Sequence, residues 1–165
     1  MPDNAAIQKA ILDSIQTEKN AMDFYLQAAG RMKDPDAIRT FEVLAREERE
    51  HAGHFLKIYK GSELPDFEAF MNRPPAADSP WLKELKEEVS DDFNERKAMR
   101  LAMRKEQELE QSLREGAARM SDPDVKAIYL KNAEETRNHY SIIEAEYARL
   151  MAMVDATDMD TYVRE

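Results

Sequence analysis

Cysteine is absent from the 165 residues of the chain. That excludes disulfides, thiolate-bound zinc and iron–sulfur clusters held by this chain, and it fits a reducing compartment. Glycine (4) and proline (7) are scarce, so few positions interrupt regular backbone. No run of 18 apolar residues occurs, as a membrane-spanning helix would need. The opening segment MPDNAAIQKA holds no apolar signal core. Positive charge is in deficit. Lys and Arg number 24 against 34 Asp and Glu, for a net charge of −10, which opposes nucleic-acid phosphate and anionic lipid. The expectation is a cytoplasmic protein with neither a nucleic-acid nor a membrane partner.

What the chain does have is charge and helix formers. Charged residues make up 35% of it, and Ala, Glu, Lys, Leu, Arg and Met dominate, a mixture that favours long helices. The length suits one domain with a real core. An internal repeat is also visible, with each counterpart 88 positions on. Ala29-Gly30-Arg31-Met32-Lys33-Asp34-Pro35-Asp36 returns as Ala117-Ala118-Arg119-Met120-Ser121-Asp122-Pro123-Asp124. Ala45, Glu47, Arg49, His51 and Tyr59 return as Ala133, Glu135, Arg137, His139 and Tyr147, and Glu18 returns as Glu106. A duplicated helical hairpin is the expected unit.

Apolar residues at three-and-four spacing mark four long helices. Helix A spans about Asp3 to Met32, with Ile7, Ile11, Ile15, Met22, Tyr25, Ala29 and Met32 inward. Asp34 caps helix B, which starts at Pro35 and runs to about Tyr59, where Gly61 is expected to stop it. Helix C spans about Asp92 to Met120, and Asp122-Pro123 starts helix D, which runs to about Met151. The A–B and C–D turns are short, so each pair is an antiparallel hairpin. The B–C connection, about 61–90, holds Pro65, Pro74, Pro75 and Pro80 and cannot be one helix. Ser79-Pro80 caps a short helix from Trp81 to Val89. Twenty extended residues reach about 66 Å, more than the roughly 40–45 Å of a 25–30-residue helix. The linker can therefore run the length of the bundle and leave B and C parallel. That is the all-α, ferritin-like arrangement: a four-helix bundle of two repeated hairpins with one long crossover. Residues 152–165 form a C-terminal tail or short helix.

Glu18 sits inside the apolar stripe of helix A, where an ionised carboxylate is costly unless paired or bound to metal. On helix B, Glu48 and His51 are three residues apart and share a face. A Glu from one helix with a Glu-x-x-His from the next is half of a di-metal carboxylate site, and such ligands suit iron, manganese or zinc. Glu106 and His139 supply the matching positions in the second half. Thr136 stands where Glu48 should recur, and it is not a comparable ligand. Glu135, four residues before His139, has two readings: a ligand that swings in to replace the missing carboxylate, or a flanking residue like its counterpart Glu47. His54, Glu47, Glu50 and Glu108 read as flanks, Tyr25 as a core tyrosine, and the ten methionines as core filling.

The run Ala45-Arg46-Glu47-Glu48-Arg49-Glu50-His51-Ala52, with Glu18 upstream in Glu-x5-Phe-Tyr, resembles the rubrerythrin family of ferritin-like proteins. The resemblance covers about residues 5–150. It implies a non-haem di-iron centre that reduces peroxide or oxygen, or oxidises ferrous iron. It also implies Glu18, Glu48, His51, Glu106 and His139 as ligands, with Glu48 as a bridge. Three departures stand out. The second helix C carboxylate of the family is Leu109 here, its helix D carboxylate is Thr136, and the four-cysteine rubredoxin extension is absent. The missing extension puts the expected electron donor outside this chain, and a homodimer is a separate expectation. The alternative is a degenerate bundle that holds one metal, such as zinc, or none, and acts as a binding or structural protein.

Overall fold

A computed structural model describes residues 3–88 and 94–163. Its elements are α1 (Asn4–Arg31), α2 (Pro35–Ile58), α3 (Phe67–Met71), α4 (Pro80–Glu88), α5 (Glu95–Arg119) and α6 (Pro123–Val163). The described residues contain no strand, as the all-α reading requires.

The repeated turns close in the same way in both halves. The Asp34 carboxylate accepts from the amides of Asp36 and Ala37 at 2.9 and 3.0 Å. Asp122 accepts from those of Asp124 and Val125 at 2.8 and 3.3 Å. Each cap satisfies amides that have no partner within the helix. The preceding helices end on Met32 and Met120, both in extended backbone. Hairpins α1–α2 and α5–α6 follow.

Contacts between the hairpins set the helix directions. The Lys33 amide at the end of α1 donates to Glu95 at the start of α5 (2.5 Å), so α1 and α5 are antiparallel. Phe55 near the end of α2 packs on Tyr129 near the start of α6. Arg149, late in α6, pairs with Asp34 at the head of α2 at 2.7 Å. Hence α2 and α6 are antiparallel, and α2 and α5 run the same way. The crossover must travel the length of the bundle. Buried Lys19 pins it, donating to Asp23 (2.6 Å) and to the carbonyl of Arg73 (3.0 Å). Trp81 on α4 then packs edge-on against Phe24 at 5.2 Å.

Helix α2 ends where the sequence reading put it, but the role of Gly61 and the ends of two other helices differ. The chain leaves α2 at Tyr59 in extended backbone, and no glycine takes a left-handed conformation. Gly61 has another role: a Cβ there would fall 2.2 Å from the Tyr59 hydroxyl, so its bareness lets the chain pass that ring. Helix α5 starts at Glu95 behind an Asn94 cap, while the expected limits Val89 and Asp92 lie outside the described residues. Helix α6 does not stop near Met151 but continues to Val163. No glycine or proline follows Pro123, so nothing in the backbone ends it.

Candidate metal centre

The inward faces of all four long helices meet at a buried polar cluster. Glu18 (α1), Glu48 (α2) and Glu106 (α5) are 0% exposed, while His51 (α2) and His139 (α6) are 2% and 1% exposed. Helical phase explains the placement. Glu18 lies between the core residues Ile15 and Met22, and Glu48 and His51 between Ala45 and Ala52, so the stripes that build the core also carry these groups inward.

Both imidazoles turn Nδ1 toward the carboxylates, and the rings stack with centroids 4.9 Å apart. His51 Nδ1 lies 3.4 Å from Glu48 Oε2 and 3.6 Å from Glu18 Oε2. His139 Nδ1 lies 2.9 Å from Glu48 Oε1 and 3.6 Å from Glu106 Oε1. Glu48 thus offers one oxygen to each histidine, as a bridging carboxylate would. The ligand atoms of Glu48, His51 and His139 lie within 4.8 Å of one another, close enough to hold one cation.

The two sides differ in how their polar atoms are satisfied. Both oxygens of Glu18, Oε2 of Glu48 and Nδ1 of His51 are buried without a hydrogen-bond partner. Such groups are costly to bury unsatisfied, and a cation is one partner they could share. On the other side, His139 Nδ1 is hydrogen-bonded to Glu48 Oε1 (2.9 Å). The Tyr25 hydroxyl donates to Glu106 Oε1 (2.5 Å). Thr136, where the repeat calls for a carboxylate, is buried and donates to the Asn132 carbonyl at 2.7 Å. Only Oε2 of Glu106 and the outward Nε2 of His139 lack partners there.

Protonation follows from this crowding. Burial pulls the His51 pKa down, but Glu18 and Glu48 push it up to about 12. His139 is likewise pushed up to about 10 by Glu106 and Glu48 against its burial. Burial and then Glu48 raise Glu18 well above the usual carboxylate range. Burial and Glu48 raise Glu106 to about 7. Glu48 is held well below that range despite burial, by Glu18 and the two histidines. Without metal, Glu48 is held ionised between two histidines that are held protonated.

Glu135 comes to the site, but not to the inner ring. Its carboxylate meets the outward Nε2 of His51 at 2.8 Å and stays 35% exposed. Glu47 does the reciprocal thing, lying 3.8 Å from Nε2 of His139 and 38% exposed. Each hairpin therefore lends an outer carboxylate to the histidine of the other. Glu135 and Glu47 thus stand at matching outer positions, as their shared place in the repeat suggests. His54 bonds to Asn132 at 2.9 Å, and Asn132 donates to the His51 carbonyl at 3.3 Å. Sequence patterning gives no sign of Asn132 or of the Tyr25–Glu106 bond, since both depend on contacts between hairpins.

With the geometry in place, the comparison with known families is direct. Residues 9–147 match the family described as Rubrerythrin. The chain belongs to the rubrerythrin family. No curated protein and no solved structure matches it. Membership agrees with the ferritin-like fold and points to a di-iron carboxylate scaffold. No helix among the described residues is long and apolar enough to cross a membrane.

Proposed function

We propose that this rubrerythrin-family protein is a non-haem iron oxidoreductase that reduces peroxide or oxygen, with ferrous iron oxidation as the other face of the same chemistry. Glu18, Glu48 and His51 hold the tighter ion, and Glu106 and His139, sharing Glu48, frame a weaker second position. The observation that carries this reading is the set of buried, unsatisfied atoms on Glu18, Glu48 and His51. Within the protein they meet only one another, at 3.4 and 3.6 Å for His51, and their oxygen and imidazole character suits iron, with manganese or zinc as competitors.

Bound ferrous iron would supply the electrons; with two electrons and two protons, hydrogen peroxide becomes two waters. The chain supplies the surroundings. Glu48 stays ionised beside the site and offsets metal charge. Tyr25 keeps its proton, because burial and Glu106 raise its pKa, and it steers Glu106 through Oε1. Glu106, raised to about 7, can take up or release a proton near neutral pH. Glu135 and Glu47 orient the imidazoles from outside. An external electron donor, a homodimer and a cytoplasmic location belong to the same proposal. Leu26 and Val43, 50% and 39% exposed on the α1–α2 hairpin, offer apolar surface for the dimer.

A second reading rests on Thr136, whose hydroxyl is already bonded to Asn132: a bundle with one metal, such as zinc, and no turnover. One experiment separates the two. Anaerobically loaded ferrous protein should consume hydrogen peroxide with a matching oxidation of iron, and a chemical reductant should restore it. Stable metal binding with no peroxide consumption would favour the second reading.

A further inference from the structure

The repeat places Glu18 and Glu106 at equivalent points, yet their surroundings are opposite. Tyr25 caps Glu106. The counterpart of Tyr25 in the second half is Leu113, which cannot cap Glu18, and the counterpart of Phe24 is Ser112. Phe24 is fully buried under Trp81. Ser112 is exposed, and the space its missing ring would fill is open. A cavity of about 210 Å³ lies there, lined by Ser112, Thr17 and Ser14 with Glu18 and Leu109 at its buried end. Leu109 stands where the family was expected to carry a further carboxylate.

Gly116 helps to shape this space. A Cβ there would come within 2.8 Å of the Tyr129 ring, so glycine lets Tyr129 lie against α5. From there its hydroxyl reaches Ser14 at 3.1 Å. The lining runs from exposed groups (Asp13, Ser112, Arg119) to fully buried Glu18. It thus runs from solvent to the Glu18 side chain, whose carboxylate oxygens lie closed off just beyond its inner end.

We propose that this cavity is the entry route by which a neutral, peroxide-sized hydroxylic molecule reaches the Glu18 side of the centre. Three observations select that occupant. Ser14 and Thr17 already donate to the carbonyls of Ala10 and Asp13, so they present lone pairs that accept from a hydroxylic molecule, and the Ser112 hydroxyl at the mouth can donate or accept. The exposed charges, Asp13 and Arg119, are opposite in sign, and Asp13 is already paired with Lys9 at 3.1 Å, so no field gathers cations there. The volume holds several water-sized molecules at about 30 Å³ each.

The proposal rests on the iron reading above, and its test keeps the two apart. Ser112→Phe restores the residue that the first half uses to fill the equivalent space. Ser112→Leu, which fills part of the same space without a group that could bond Glu18, is the second variant. Ferrous iron content and the second-order rate of oxidation by hydrogen peroxide would be measured for wild type and both. The expected result is unchanged iron content with oxidation slowed about tenfold or more, within the one to three decades over which association rates vary among related variants. Full iron content with wild-type rates in both variants would overturn the route and leave the iron reading standing. If wild type takes up no ferrous iron, the iron reading fails. Metal-free crystals soaked in methanol then decide the cavity: density bonded to Ser112 and Thr17 in wild type, lost in Ser112→Phe, supports it, and an empty cavity in wild type ends it.

Discussion

Glu18 and Glu106 hold the same place in one repeated hairpin, and the two halves treat them differently. Around Glu106 the polar atoms are mostly tied to protein: Tyr25 to Glu106, His139 to Glu48, Thr136 to its own helix backbone. Around Glu18 they are buried without hydrogen-bond partners, and the Glu18 side chain lines a cavity. A symmetric scaffold can thus hold an asymmetric site without moving a helix. The replacements Glu48 to Thr136 and Tyr25 to Leu113 across the repeat are sufficient. The half with unsatisfied groups is the half poised to take a cation, because protein already supplies partners in the other.

The contrast can be broken most forcefully at Glu48, the one carboxylate shared by both histidines. Glu48→Ala should weaken metal binding more than about 100-fold, beyond the loss typical of an outer partner. Thr136→Ala, at the equivalent position, should leave it unchanged in equilibrium dialysis. Equal losses at the two positions would erase the asymmetry.

Proton release tests the open half next. His51, raised to about 12, is protonated at pH 7 in the metal-free protein, and Glu18 is raised in the same direction. His51 must deprotonate to bind metal, so affinity should rise with pH and at least one proton should leave per ion bound at pH 7. A dye-based titration in weak buffer measures this directly. No release would mean that the inner atoms are not the ligands.

Thr136→Glu should make the halves alike. It rebuilds Glu-x-x-His with His139, and affinity at the weaker position should rise at least about tenfold, the low end of what one orienting group contributes. Calorimetry should then resolve two similar sites. The smallest effects belong to the outer carboxylates. Glu135→Gln should cost about tenfold in affinity, and Glu47→Gln less, because its contact is 3.8 Å rather than 2.8 Å. Glu50→Ala should change nothing. A loss from Glu50→Ala as large as that from Glu48→Ala would mean that the inward face of α2 is misassigned.

Much of this site is legible from periodicity and the repeat. Three-and-four spacing carries Glu18, Glu48 and His51 inward, and the repeat carries Glu106 and His139 to match. The crossover follows from four prolines and a length comparison. What stays illegible depends on contacts between hairpins. Spacing within α6 puts Glu135 near the site, but only the position of His51 across the bundle decides which nitrogen or ion it meets. Tyr25 reads as a core tyrosine until Glu106 is known to lie against its hydroxyl. The end of α6 is hard to read for another reason. Patterning weakens after Met151, but weak amphipathicity does not end a helix without a breaker or a cap.

The most direct measurement is an anaerobic equilibrium titration of the purified, metal-free protein with ferrous iron. One tightly bound equivalent per chain is expected, with a second at least about tenfold weaker, reflecting the missing helix D carboxylate. Two equally tight equivalents would contradict the asymmetry between the halves, and no binding would contradict the metal centre itself.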